Sequence, residues 1–599
     1  MKAMVATMRH ESFYTTGTFS DPELGIFAGW VALENSFADK QVFFNEKKDI
    51  ALVFSGESFI ESETKNQLKQ NGHKFGDRGG DCLAQLYEEQ GKAFFENLNG
   101  LFSGLLIDRR QRKVFLFNDR YGMERIYWHE TPDAFYFASE AKALLRVLPE
   151  LRRFDEQGVA QFMAYGCTLD GRTLFRGISL LPGGSLWSFE NGAIIRRSYS
   201  SPAAWESQPA LTVDAFESEF QNTFKRILQR YTGSEMRLGI SLTAGLDTRM
   251  IMACLPETNP RPVCYTFTGS SGQTMDDRIA ARVAAACGLE YHLLRLKPDF
   301  FSDFAAHADR IVFMTDGCWG ISGAHEIYFH QQARGLSPVR LTGLFGSEVF
   351  RGVSMFKPQG HAQQLFDPDF VTAVNAAVGL LAAHKTHPVT FALFKEIPWN
   401  RFSHVTASRS QVVFRTPYLD NELAKLAYQM PPEIRRSSLP ASRFVCTNSK
   451  VLGKIATDRG FSDDNSGLAY LWRRIFAEVT FKMDYCHGEG LPQPLTPFNP
   501  VYRFAVSAFK VAGMHKFLQY RQWFRKELAE YVRQSLSEAQ AGQNRFFNVA
   551  RIRHLAELHA AGRKNYAAEI DAVLTLDSVE RQLFRDLPRG LEPARNEHK

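Results

Sequence analysis

Gly239-Ile240-Ser241-Leu242-Thr243-Ala244-Gly245-Leu246-Asp247-Thr248-Arg249 is the stretch on which the reading of this chain turns. An apolar strand runs into a turn of small side chains, and the apolar MIMACL (250–255) continues it as a helix. A helix N-terminus presents unpaired N–H groups and the positive end of a dipole, so such a turn can hold an anion. Small side chains let backbone amides approach phosphate oxygens. Thr243 and Thr248 add hydroxyl donors, and Asp247 can hold the Mg²⁺ that accompanies phosphates. The same residues also describe an ordinary tight strand-to-helix turn. They make neither a Walker loop (no G-K-[ST]) nor a dinucleotide fingerprint (no G-x-G-x-x-G).

Around this turn, strands and helices alternate. A helical pattern fills 215–231, and MRLGISL (236–242) is a strand. RPVCYTFTG (261–269) is a second strand before the helix DDRIAARVAAACG (276–288), and PVRLTGLFG (338–346) is a third. Buried strands alternating with helices indicate a doubly wound parallel sheet. Upstream, short strands are punctuated by Gly, Pro and Asp: FAGWVAL (27–33), DIALVFSG (49–56), FSGLLIDRR (102–110), KVFLFNDR (113–120), AFYFASE (134–140) and GSLWSFENG (184–192). That texture builds antiparallel layers. The polar SYSSPAAWESQPALTVD (198–214) reads as a linker. Beyond about residue 365 the chain is mainly helical, and the charged tail GLEPARNEHK (590–599) is expected to fray.

At roughly 150 residues per domain, 599 residues suggest about four units, or two to three large ones. Apolar residues make up 44% and charged residues 23%, which excludes disordered and collagen-like classes. The net charge of +6 is too mild to argue for nucleic acid. No window of about 18 uncharged apolar residues offers a membrane span, and the N-terminus lacks the apolar core of a secretory signal. Eight scattered cysteines with no C-x-x-C pair argue against a disulfide framework or zinc, and fit the cytoplasm.

Thr243-Ala244-Gly245-Leu246-Asp247-Thr248 stands where the asparagine synthetase family carries S-G-G-x-D-S, and further matches follow in family order. They are Leu98-Asn99-Gly100-Leu101-Phe102 with Asp108, Asn118-Asp119-Arg120-Tyr121-Gly122, and Phe137-Ala138-Ser139-Glu140-Ala141-Lys142. Leu174-Phe175-Arg176-Gly177-Ile178, Leu181-Pro182-Gly183-Gly184, Arg415-Thr416-Pro417-Tyr418-Leu419-Asp420 and Pro431-Pro432 complete the set. The chain therefore resembles the asparagine synthetase family over nearly its whole length. In type it is close to members without the glutaminase cysteine, such as β-lactam synthetases and lasso-peptide cyclases.

The resemblance implies an α+β Ntn-hydrolase-like sandwich of amidotransferase type over 1–205, then an α/β doubly wound ATP-binding synthetase domain with a helical C-terminal part over 206–599. It implies activation of a carboxylate as an acyl-adenylate with release of pyrophosphate, then attack by an amine. ATP and Mg²⁺ follow from it as cofactors. Leu242, Thr243, Ala244, Gly245, Asp247, Thr248, Phe267 and Gly343 are the implied nucleotide contacts, Asp247 and Glu348 the metal ligands, and Lys450 and Glu348 the catalytic residues. The carboxylate and amine, on a small molecule or a peptide, stay open, and a homodimer is compatible with the family.

The departures are as informative. A glutamine-hydrolysing member needs a cysteine directly after the initiator methionine; here Lys2 stands there and no cysteine precedes Cys82. The family's R-G-P-D clamp is missing between Asn35 and Asp49, and its N-G-E-[IL] survives only as Ser55-Gly56-Glu57-Ser58. Asp81 is the residue left at the position of a glutamine-binding aspartate. The N-terminal part thus reads as a scaffold without glutaminase chemistry.

In the second half, Ala244 replaces a glycine, at about 1 kcal/mol if its φ is positive. The acidic G-E-G-A-D-E loop becomes Thr342-Gly343-Leu344-Phe345-Gly346-Ser347-Glu348-Val349-Phe350-Arg351-Gly352. One alignment puts Ser347 at the metal position and Leu344 at a catalytic glutamate; a one-residue shift gives Glu348 the metal, and carboxylate chemistry favours the shift. Asp276-Asp277 are either family acids or helix caps, His292 is either a family histidine or structural, and Asp316 is placed near the active-site mouth. Lys450 is favoured over Lys454 for the phosphates, against the alternative of a surface lysine.

The leading expectation is an AMP-forming amide synthetase independent of glutamine. Its rivals are a non-catalytic nucleotide-binding scaffold and a glutamine-hydrolysing asparagine synthetase.

Overall fold

A computed structural model describes residues 1–39, 42–76, 78–233, 236–270, 272–354, 356–361, 363–384, 386–463, 467–489, 501–502, 504, 506, 511–539 and 546–588. The tail 590–599 lies outside them. The chain opens with α1 (Lys2–Met8), where the sequence suggests only strands. Met4, Val5 and Met8 turn inward from it and Lys2 is exposed.

The antiparallel part contains β1 (Tyr14–Asp21), β2 (Ile26–Leu33), β3 (Phe43–Phe44), β4 (Ile50–Ser58), β5 (Gly100–Asp108), β6 (Lys113–Asn118), β7 (Tyr127–Glu130), β8 (Phe135–Ala138), β9 (Ser179–Leu180), β10 (Ser185–Glu190) and β11 (Ala193–Ser198). Six of them form one sheet in the order β11-β10-β6-β5-β4-β3. Successive side chains of a strand point to opposite faces, and both faces of this sheet are apolar. Ile50, Leu52, Phe54, Leu106, Phe115 and Phe117 pack under the helices Leu83–Gln90 and Ala93–Asn97. Ala51, Leu105, Ile107, Val114 and Leu116 face the pair β1-β2 and the sheet β8-β7-β9. The sandwich partner is therefore two small sheets rather than one, and the two-sided burial explains unbroken runs such as KVFLF.

After the linker, α2 (Val213–Thr232) buries Phe216, Phe220, Phe224, Ile227 and Leu228 at helical spacing. Then come β12 (Leu238–Ser241), α3 (Leu246–Ala253), β13 (Val263–Thr268), α4 (Met275–Ala286), β14 (Glu290–Arg295), α5 (Ala324–Arg334), β15 (Val339–Thr342) and α6 (Gly346–Arg351). A π-helical run, Ala392–Arg401, leads into α7 (Phe402–Arg409), and β16 (Val413–Arg415) closes the sheet. The order is β14-β13-β12-β15-β16 and every pair is parallel. Strands are added to one side of β12 as far as β14 and then to the other side from β15, so the gap between β12 and β15 is the switch point where open α/β sheets bind ligands beyond their carboxyl ends. The helical remainder includes α8 (Lys450–Lys454) and α9 (Gly467–Glu489).

Candidate active site

The turn after β12 opens at that switch point. Leu242 N–H still bonds Tyr265 C=O at 2.8 Å, so the strand guides the chain to the last moment. Thr243 is exposed and Gly245 half-buried. Gly245 caps α3 without a side-chain cap bond, and its own N–H donates to Thr243 Oγ1 at 3.3 Å. Ala244 is absent from the described residues with positive φ, so the left-handed strain considered above does not arise. Its N–H donates to Asp276 Oδ1 at 2.6 Å, and Arg249 Nη2 donates to its carbonyl at 3.1 Å. Gly343 presses on α3: a Cβ there would lie 2.5 Å from Thr248 N.

Two carboxylates reach this place from neighbouring strands. Asp247 follows β12, and Glu348, 9% exposed, follows β15. Gly346 makes room, since a Cβ on it would lie 2.7 Å from Asp247 Cγ. Burial pushes the Asp247 carboxyl up to about 6; Arg351 opposes this and Glu348 adds to it. Arg351 Nη2 donates to Asp247 Oδ2 at 2.7 Å. Glu348 accepts from Ser347 Oγ at 2.9 Å and meets Arg401 Nη2 at 3.5 Å. Ser347 thus stands beside Glu348 as its donor. Leu344 is 36% exposed and offers no acid.

Glu396, on the π-helical run, is a third acid that the sequence did not single out. It is buried, burial raises its pKa with Glu348 adding to the effect, and its Oε1 has no partner among the described residues. Arg351, Arg401 and Glu396 were missed for one reason: their partners are distant in sequence. The available signal was weak, a basic residue one helical turn after Glu348.

The other candidates scatter. Lys450 begins α8, is exposed, and has α4 beside its helix. Lys454 is exposed too. Phe267 stacks on Phe329 at 4.7 Å under the Arg340 guanidinium, so its ring belongs to an aromatic layer on α5 rather than to the phosphate turn. Asp277 caps α4 in a reciprocal box with Thr274, while Asp276 bonds the phosphate turn; the two acids split the two alternatives. His292 lies 2.6 Å from Glu290 on the edge strand β14. Asp316 is not at a mouth. It is 3% exposed, in a left-handed turn (φ 51°), and accepts from Lys142 Nζ at 3.0 Å and Ala141 N–H at 2.6 Å.

Several quoted motifs meet in the seam between the two parts. Arg415 grips both oxygens of Glu57 at 2.8 Å. Asn99 donates to Asp420 at 2.9 Å and accepts from Asn421 N–H at 3.0 Å. Asp119 accepts from the N–H groups of Tyr121, Met123 and Glu124 and shapes the N-D-R-Y-G turn. Beside the seam lies a cavity of about 300 Å³, lined among others by Met1, Met4, Met8, Glu57, Glu124 and Arg409. No cysteine is among its described lining residues. Asp81 does not line it either, and instead accepts from Arg78 N–H at 3.2 Å.

A parallel sheet with a small-residue turn and two acids at its switch point, joined to an antiparallel sandwich, defines a two-part α+β and α/β fold. Sequence comparison names it. The family described as "Glutamine amidotransferase domain" matches residues 1–200, and "Asparagine synthase" matches 219–452. The chain belongs to the asparagine synthetase family. It is 24% identical over 432 residues to Asparagine synthetase [glutamine-hydrolyzing] 3 of Arabidopsis thaliana, covering 67% of this chain and 63% of that protein. With Asparagine synthetase [glutamine-hydrolyzing] 1 of Bacillus subtilis it shares 21% over 361 residues, 60% of this chain and 56% of that protein. With Amidase chyE of Penicillium rubens it shares 24% over 369 residues, 56% and 52% of the two chains. The chain thus spans less than two thirds of the length of each of these relatives. Among the described residues no helix is long and apolar enough to cross a membrane.

Proposed function

We propose that the chain is an ATP-dependent amide synthetase, residues 206–599 carrying the chemistry and residues 1–205 serving as a scaffold that does not hydrolyse glutamine. The carboxylate substrate attacks the α-phosphorus of ATP and pyrophosphate leaves. An amine then attacks the acyl carbon, loses a proton, and AMP departs. The observation that carries this reading is that Asp247 and Glu348 come together beside a small-residue turn whose Thr243 is exposed. Their oxygens suit a hard divalent cation. Asp247 and Glu348 would hold Mg²⁺, which when bound offsets charge on the departing pyrophosphate. Leu242, Thr243, Ala244, Gly245, Thr248 and Gly343 form the nucleotide cradle, and Lys450 is the cation offered to the phosphates. Phe267 is kept only as a backbone contact, because its ring is engaged elsewhere.

The absence of a cysteine among the described cavity residues supports the glutamine-independent reading. The glutamine-hydrolysing asparagine synthetases among its relatives favour the opposite one. Incubation with glutamine separates them: background-level glutamate release is expected, and steady release blocked by a cysteine-directed glutamine analogue would overturn the scaffold reading. A second reading, nucleotide binding without catalysis, is favoured by Arg351 sitting directly on Asp247. AMP and pyrophosphate formed with a carboxylate and amine in hand would exclude it.

A further inference from the structure

Helices on a protein surface normally turn their apolar side inward. In α9 the arrangement is reversed. Ala477, Thr480 and Asp484 make its buried line, and the polar two do the anchoring. Asp484 accepts from the N–H groups of Gly513 at 2.8 Å, His515 at 2.6 Å and Lys516 at 2.9 Å. Thr480 Oγ1 lies 2.9 Å from His515 Nε2. Facing outward, at i, i+3, i+4 spacing, are Leu468, Leu471, Trp472, Ile475, Phe476 and Val479, between 45% and 76% exposed. At about 1.5 Å per residue this stripe runs roughly 17 Å. Val501 and Phe504 are as bare, at 70% and 77%.

Of the seventeen exposed large apolar side chains among the described residues, nine fall in 468–504, so this is a patch and not the usual scatter.

The rim of the patch is cationic. Arg473 and Arg474 follow Trp472, and Lys482 lies one turn beyond Val479. Arg459 covers the Phe481 ring at 3.4 Å and Lys516 the Tyr485 ring at 5.3 Å. One exposed acid of the helix, Glu478, is met by Arg459 at 3.1 Å and Lys482 at 3.2 Å.

An apolar face with tryptophan and phenylalanine, bordered by arginine and lysine, suits a headgroup–acyl boundary rich in anionic lipid. A second copy docked about a two-fold axis would bring this positive rim against itself. We propose that α9 is an interfacial helix that seats the protein on the anionic surface of a lipid bilayer without crossing it. The anchoring segment also touches the candidate site's surroundings, since Met514 C=O accepts from Met275 N–H at 2.7 Å at the start of α4.

Flotation of the full chain tests this independently of the reaction proposed above. The protein should rise with vesicles of phosphatidylcholine mixed with phosphatidylglycerol, should not rise with phosphatidylcholine alone, and should fall away as salt screens the rim. Trp472→Ser with Phe476→Ser should weaken anionic-vesicle binding about tenfold or more, and Arg474→Glu with Lys482→Glu should do so while leaving the apolar stripe intact. Unchanged thermal unfolding of both double variants confirms that the fold is kept. No flotation with anionic vesicles, or flotation untouched by either double substitution, would overturn the proposal. So would a dimer that the first pair dissolves in the absence of vesicle binding.

Discussion

The seam between the sandwich and the parallel sheet, and the rim of the phosphate turn, are both crowded with buried charge, but they compensate it differently. In the seam each acid has a fixed cation or several donors. Lys142, fully buried, lies 3.0 Å from Asp316 and 2.7 Å from Glu140. Burial alone would lower the Lys142 pKa, yet Asp316 and Glu140 outweigh it and raise it. For Glu140, burial is outweighed by His10 and Lys142, which hold it at about 2. Burial does raise Asp420 and Asp316, but Arg230 stands 3.2 Å from the first and Lys142 beside the second.

At the phosphate turn burial prevails with less relief. Asp276 rises to about 6 with one backbone donor and the acids Asp458 and Asp277 nearby, and Glu396 Oε1 has no partner among the described residues. The seam completes its charges from within the chain. At the turn Arg351 and Arg401 meet Asp247 and Glu348, yet burial still raises Asp247 and Asp276, a perturbation that a bound cation would relieve.

The sharpest way to break the contrast is Lys142→Ala. It removes the cation between two buried carboxylates and should cost about 3–5 kcal/mol in urea unfolding, with nucleotide binding by the folded protein unchanged. A loss under about 1 kcal/mol would mean the seam is not held by this network. Next in size is Asp247→Asn. Apo stability should not fall, because an ionised Asp247 is unfavourably buried. The roughly 2.7 kcal/mol that ATP–Mg adds at about 100 times its Kd should vanish. Undiminished stabilisation in the variant would reduce the turn to a connection.

How much of this was legible in the sequence depended on how far apart the partners lie. The strands of the large sheet were readable because KVFLF and IALVF are local apolar runs between turn signals. The strand-to-helix turn at 239–249 and the start of α3 were readable for the same reason. Helix α1 was not, because KAMVATM is too short for a periodicity to show and it packs against the distant helix Ala141–Val147. The Arg351–Asp247 contact joins residues 104 apart, and Arg415–Glu57 joins residues 358 apart. Both ends of that second clasp were noticed as separate motif matches; only the fold shows that they bond. Asp316 was misplaced because a polar T-D-G turn reads the same at a cleft as at a buried junction.

The clasp offers the next prediction. Arg415→Lys keeps the charge but replaces two parallel bonds to Glu57 by a single ammonium contact. A loss of about 1–2 kcal/mol is expected, smaller than for Lys142 because the carboxylate still has a cation. A loss equal to that of Arg415→Ala would show that lysine cannot reach Glu57, and that the fork itself holds the two parts together.

The smallest effect sharpens the contrast from inside the seam, where Glu124 is the exception. Burial, with Asp119 and Glu57 adding, raises its carboxyl to about 7 against the opposing Arg409 at 2.9 Å. An acid whose folded pKa exceeds its unfolded value favours the fold most when protonated. Stability should therefore decline as pH rises from the ordinary glutamate value of 4.5 through about 7, and stay level above that. Glu124→Gln cannot ionise and should lack this decline. The wild type should lose on the order of 1 kcal/mol more than the variant between about pH 5 and 8, below the full worth of about 1.36 kcal/mol per pKa unit because Arg409 can relax toward the charge. Glu140 provides the control of opposite sign. Its folded pKa is depressed to about 2, so its contribution is present above 4.5 and is lost only as pH falls toward 2. Glu140→Gln should therefore leave the slope between about pH 5 and 8 unchanged. Parallel curves for wild type and Glu124→Gln would show that Arg409 compensates Glu124 as fully as Lys142 does its neighbours, and would leave the turn around Asp247 and Asp276 as the place where burial is not offset.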